Sequence, residues 1–194
     1  MLLRSIRWPR TRHILSFLLV SLATGSTALA GIGKTVMWVN HLDLLPGDPS
    51  VTTSFNAVSS GVGGGLSGLI IESNTTGEDA TGGGNKVVEM ATEVPPGFVI
   101  TSVRVCYELS DPRSFISQIR LAQVQNPPSS AIVLLDDGTD LTDPGPICVD
   151  SDKTSVNPSK GAVLLSLRVN FGDTTDRIVV RGLALRLKRK AGGD

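Results

Sequence analysis

The densest run of chemistry-bearing side chains is DDGTDLTD at 136–143, which sets Asp136, Asp137, Asp140 and Asp143 around a glycine-containing turn. Calcium takes six to eight oxygen ligands, and aspartates clustered on a turn can supply several of them together. The spacing is not that of an EF-hand, whose loop needs Gly at its sixth position and Glu at its twelfth. A structural calcium ion held by these four aspartates is one expectation. The other is a solvated turn in which each Asp satisfies nearby backbone. No motif calls for any other cofactor.

A second pattern sets arginine between aliphatics, in Val103-Arg104-Val105, Ile119-Arg120-Leu121 and Leu167-Arg168-Val169. On strands, period two turns Arg104, Arg120 and Arg168 away from the core. If those strands share a sheet, the guanidiniums form a row able to take carboxylates or sulfates of an acidic glycan by bidentate hydrogen bonds. Otherwise they pair with acids such as Glu108 and Asp176, and each exposed pair contributes little. Trp38 is the candidate stacking residue, whereas most of Phe55, Phe98, Tyr107, Phe115 and Phe171 read as core.

Support for catalysis is thin. His41 is the only histidine beyond residue 30, with no G-x-S-x-G motif and no second histidine for a metal. Carboxylate-only hydrolysis needs two acids across one cleft, and Glu72, Glu89, Glu93 and Glu108 fall on predicted strands without any ranking among them. The glycine-rich stretches at 61–65 and 73–85 lack the spacing of a phosphate loop, and the second reads as a mobile surface loop.

Residues 1–30 have the three parts of a cleavable signal peptide. Arg4, Arg7, Arg10 and Arg12 form a basic start, residues 14–22 an apolar run, and Ala28-Leu29-Ala30 a small-residue cleavage site before Gly31. The apolar run is too short to span ~30 Å of hydrocarbon as a helix. The expected product is a single domain at 31–194, secreted or periplasmic and not stably inserted in a membrane. Without those four arginines the chain keeps 14 of its 18 basic residues against 18 acids. That balance argues against nucleic acid as a partner, since phosphate binding needs a basic footprint. In an oxidising compartment Cys106 and Cys148, the only cysteines, are expected to form a disulfide.

Apolar residues recur at period two, β-branched residues are abundant, and Gly or Pro marks the breaks. Strands are predicted over 35–40, 51–58, 66–72, 86–93, 98–109, 115–124, 131–135, 147–150, 161–171 and 177–188. In 98–109, Val99, Thr101, Val103, Val105 and Tyr107 share the expected core face. In 177–188 the apolar parity switches at Gly182, where a β-bulge is expected. So many short strands predict an all-β fold of two antiparallel sheets packed as a jelly-roll-like sandwich. An immunoglobulin-like sandwich is the alternative, but Trp38 precedes both cysteines instead of lying between them.

These features point first to an exported, non-catalytic module that binds a glycan or another surface component. A self-assembling structural protein and a small carboxylate-dependent hydrolase are the other two readings. Oligomeric state cannot be read from the sequence.

Overall fold

A computed structural model describes residues 34–55, 68–125 and 127–190. The expected signal peptide and the glycine-rich stretch at 61–65 lie outside the described residues. The described residues form eleven strands, most of them on alternating side chains: β1 Lys34–Val39, β2 Leu45–Pro46, β3 Val51–Phe55, β4 Leu69–Ser73, β5 Val87–Thr92, β6 Phe98–Leu109, β7 Phe115–Val124, β8 Ala131–Asp137, β9 Ile147–Asp150, β10 Val163–Asn170 and β11 Ile178–Arg189. The two-residue β2 and the short 3-10 turns His41–Asp43 and Pro158–Lys160 are too brief to leave a periodic signal.

The strands form two antiparallel sheets. Sheet A runs β3-β4-β11-β6-β9, and β1 also pairs with β11, beyond the stretch that β4 covers; sheet B runs β2-β5-β10-β7-β8. From β4 to β11 the chain changes sheet at every connection except the β7 to β8 hairpin. The resulting orders, 4-11-6-9 against 5-10-7-8, are those of an eight-stranded jelly roll, which decides against the immunoglobulin-like arrangement.

The core lies between the sheets. Sheet A contributes Val103, Val105, Tyr107, Ile178, Val180, Leu183, Leu185 and Leu187, and sheet B contributes Ile119, Leu121, Val163, Leu165, Leu167 and Val169, all buried. Each fully buried Leu or Ile adds about 1.5–3 kcal/mol of transfer free energy. The bulge expected at Gly182 is present: Val180 pairs with Tyr107 and Gly182 with Cys106, so the extra residue is Arg181. It lets Val180 and Leu183 both face the core.

A second bulge corrects the reading of β6. Leu187 pairs with Ile100 while Arg186 pairs with Ser102, so Thr101 is the extra residue. Ile100, not Val99 or Thr101, is therefore buried at that end of the strand. The loop at 73–85 is also tied down more firmly than its composition suggests. Lys86 is fully buried, and its ammonium donates to the carbonyls of Thr75, Thr76 and Gly77 at 2.6, 2.9 and 2.9 Å. Burial pulls the Lys86 pKa down, opposed by the charges of Asp48 and Asp79. A backbone bridge from Gly77 to Phe171 fixes the same loop to the end of sheet B. Among the aromatics, Phe55 departs from the core expectation and is 54% exposed.

Candidate functional site

Strand order separates the three candidate arginines. Arg104 stands on β6 in sheet A, while Arg120 and Arg168 stand on β7 and β10 in sheet B, so no single row exists. On sheet B the guanidiniums are paired: Arg120 donates to Asp136 at 3.0 Å, and Arg168 lies 3.6 Å from Glu78. Arg120 and Asp136 are also cross-strand partners, in register with Ser166 on β10 and Glu89 on β5. Ser166 donates to Glu89 at 2.7 Å.

The four aspartates do not gather either. Asp136 faces outward to Arg120, while Asp137 is buried and accepts from the backbone N–H of Thr139 and Asp152 at 3.0 and 2.8 Å. Burial opposes the Asp137 charge, but those hydrogen bonds hold its pKa below the ordinary value. Asp143 accepts from the Gly145 N–H at 2.9 Å, and Asp140 is exposed. Among the described residues no three His, Cys, Asp or Glu side chains are placed to hold a metal ion. The turn uses its acids on Arg120 and on backbone donors.

Sheet A gathers what the sequence left scattered. Trp38 on β1, Ala184 on β11, Arg104 on β6 and Asp150 on β9 are successive cross-strand partners and form one row across four strands. With strands about 4.8 Å apart, Trp38 and Arg104 are rooted about 10 Å from each other. Ala184 is buried beneath this row, whereas Trp38 is 59% exposed. The indole also lies close to Gly182, where an added Cβ would sit 3.1 Å from the ring. Two small residues on β11 therefore provide a seat for a large aromatic that keeps much of its surface open.

Polar groups flank that platform. The Asp150 carboxylate takes Arg104 from β6 at 2.8 Å and Arg186 from β11 at 2.9 Å. The hydrogen bond from Arg104 holds the Asp150 pKa below its ordinary value; burial opposes this, and Arg186 adds to it. In the adjoining row Gly182, Cys106 and Cys148 are partners, and the expected disulfide closes between β6 and β9. A hollow of about 250 Å³ opens beside Asp150 and Arg186 and is also lined by Lys34, Thr101, Ser102 and Lys153. The sequence reading missed Arg186, although Leu185-Arg186-Leu187 repeats the arginine pattern. Lys34, Ser102 and Lys153 carried no signal, because only folding brings them together.

A second hollow, of about 490 Å³, lies on sheet B and is lined by residues that include Asp43, Leu45, Glu89 and Leu164. Two acids, Asp43 and Glu89, line it, and Glu89 was among the candidate strand carboxylates. Asp43 accepts from the Asn40 amide at 2.8 Å. Glu72 and Glu93 are exposed elsewhere, and Glu108 is bound to Arg181 at 2.7 Å. His41 sits in the short turn after β1, where burial lowers its pKa.

No protein-family model and no curated protein sequence matches the chain. Among solved structures, it is similar to the CBM22-1 xylan-binding domain of Paenibacillus barcinonensis Xyn10C, at TM-score 0.48 and 12% identity, covering 80% of this chain and 88% of that one. It is also similar to the CBM22-1 and GH10 modules of Clostridium thermocellum xylanase 10B complexed with xylohexaose, at TM-score 0.48 and 10% identity over 82% of this chain. The match covers only 28% of that longer protein. A carbohydrate-binding module CBM36 in complex with calcium and xylotriose gives TM-score 0.43 and 10% identity, covering 78% of this chain and 98% of that one. These likenesses are distant, and the jelly roll is established by this chain's own strand order.

Proposed function

We propose that the chain is an exported, non-catalytic module that binds a glycan on the outer face of sheet A, with Trp38 as the stacking platform. One observation carries the reading: a tryptophan 59% exposed on a sheet face and backed by Gly182. Exposing so much apolar ring to water forgoes burial that a core position would give, and sugar rings stack on such a surface. Arg104, Asp150 and Arg186 supply donors and acceptors at its edge, held in place by their mutual pairing. Export fits the disulfide and the N-terminal segment at 1–30, and sequencing the secreted form should find Gly31 first.

Trp8 is removed with the signal segment, so Trp38 becomes the sole tryptophan of the mature chain and its fluorescence reports the platform alone. Titration with oligosaccharides should shift its emission, and Trp38→Ala should weaken retention on the same glycans. A folded protein that binds no glycan on an array, or a Trp38→Ala variant that binds as well as the parent, would overturn the reading.

A second reading rests on the sheet B hollow, where Asp43 and Glu89 face one space. A carboxylate hydrolase there would release reducing sugar from a polysaccharide and lose that activity in Glu89→Gln. Absence of reducing sugar from glycans that the protein binds would remove it.

A further inference from the structure

The hollow beside Asp150 and Arg186 has an unbalanced charge. Its lining includes Lys34, Lys153 and Arg186, and Asp150 is its one acid. That single carboxylate already serves both Arg104 and Arg186. No ion pair joins Lys34 or Lys153 to any described acid. This concentration of positive charge stands on a chain whose part beyond residue 30 has four more acids than bases. The hollow also holds an unfinished hydrogen bond: Ser102 is 0% exposed, yet its hydroxyl has no partner among the described residues. A buried donor without an acceptor is unfavourable and uncommon; among the described residues the only others are on His41 and Arg168, away from this hollow.

We propose that the glycan is anionic, with a carboxylate or sulfate group seated between Lys34, Lys153 and Arg186 while a sugar ring of the same chain stacks on Trp38. The proposal rests on the reading of Trp38 as a glycan platform and adds the ligand's charge. An oxyanion supplies what the lining lacks: it offsets the surplus charge, accepts from two ammoniums and a guanidinium, and can take the Ser102 proton as a hydrogen bond. Ser102 and Arg186 are cross-strand partners, so hydroxyl and guanidinium belong to one row, next to the row of Trp38 and Arg104. Uronates and sulfated sugars share this chemistry.

Three oligosaccharides of matched length distinguish the cases when titrated against Trp38 fluorescence: an oligogalacturonate, a heparin-derived fragment and a neutral xylo-oligosaccharide. At least one anionic ligand should bind about tenfold tighter than the neutral one, and its affinity should fall steeply between about 0.05 and 0.5 M salt. Lys153→Ala should weaken the anionic ligand by about three- to tenfold and leave the neutral one unaffected. Ser102→Ala should also weaken it without lowering thermal stability, whereas a merely structural Ser102 would leave binding unaltered. Equal, salt-independent binding of neutral and anionic sugars would overturn the anionic assignment and leave the platform intact. If none of the three, and no glycan on an array, shifts Trp38 emission in the folded protein, the platform reading fails and the charge assignment falls with it.

Discussion

The two outer faces of the sandwich carry similar residues to opposite effect. On sheet B, Arg120 meets Asp136, Arg168 meets Glu78, and Glu89 takes the Ser166 hydroxyl. The charges of this face are paired within it, although the buried Arg168 Nε has no hydrogen-bond partner among the described residues. On sheet A, Arg104 and Arg186 share Asp150, Lys34 and Lys153 stand beside them, and an exposed tryptophan shares their sheet. Arginine in a strand therefore says little about binding. The residues on neighbouring strands decide whether its charge is already spent.

The largest expected contrast comes from the crosslink, which sheet A has and sheet B lacks. Replacing Cys106 and Cys148 together by Ser removes a crosslink across a sequence separation of 42. Urea denaturation should show a loss of about 2–4 kcal/mol. A loss below about 1 kcal/mol would mean that β9 is held by its ladder with β6 alone.

Trp38→Ala should weaken glycan binding by about tenfold or more, or about 1.4 kcal/mol, while Arg120→Ala leaves affinity unchanged. Equal losses from both would erase the distinction between the faces. Gly182→Val should push the indole off its seat, costing about 1–3 kcal/mol, and should change Trp38 emission. An unaltered spectrum would show that the ring does not rest there.

The Asp150 cluster adds a pH signature. Its folded pKa lies below the ordinary 3.8, so the native state favours the charged form. The resulting stability is fully present above 3.8 and is lost as pH falls through the lower folded value. Asp150→Asn should flatten that part of the acid profile, by no more than about 1 kcal/mol because the group is partly exposed. An unchanged profile would show that the pairing contributes nothing to stability.

The smallest effects belong to sheet B. Arg120→Ala should cost about 0.2–1 kcal/mol. A chelator should leave the melting temperature unmoved, because Asp136, Asp137 and Asp143 are committed to Arg120 and to backbone N–H groups. A drop on adding chelator, reversed by calcium, would restore the metal reading of that turn.

Where period two ran uninterrupted the strand bounds were legible, as in β6 at Phe98–Leu109, β7 at Phe115–Val124 and β9 at Ile147–Asp150. The bulge near Gly182 was legible too, because leucine and valine changed parity there. The one at Thr101 was not: Val99, Thr101, Val103 and Val105 alternate smoothly, and only the register with β11 shows that Ile100 fills the core. The buried Lys86 was hidden as well, since a lysine at a strand end reads as solvated until the loop carbonyls that surround it are known.

By itself the sequence determined the alternation that makes an all-β sandwich, the pairing of its two cysteines, and the choice of Trp38 as an exposed aromatic. Each rests on a local pattern or on the absence of a competitor. It left open which strands are neighbours. Only the tertiary structure decided that, putting Arg104 beside Trp38 while sending Arg120 and Arg168 to the opposite face. Hydrogen-bonded neighbours in a jelly roll are far apart in the chain, so the surroundings of a strand's outward residues are set by strand order, which no local pattern encodes.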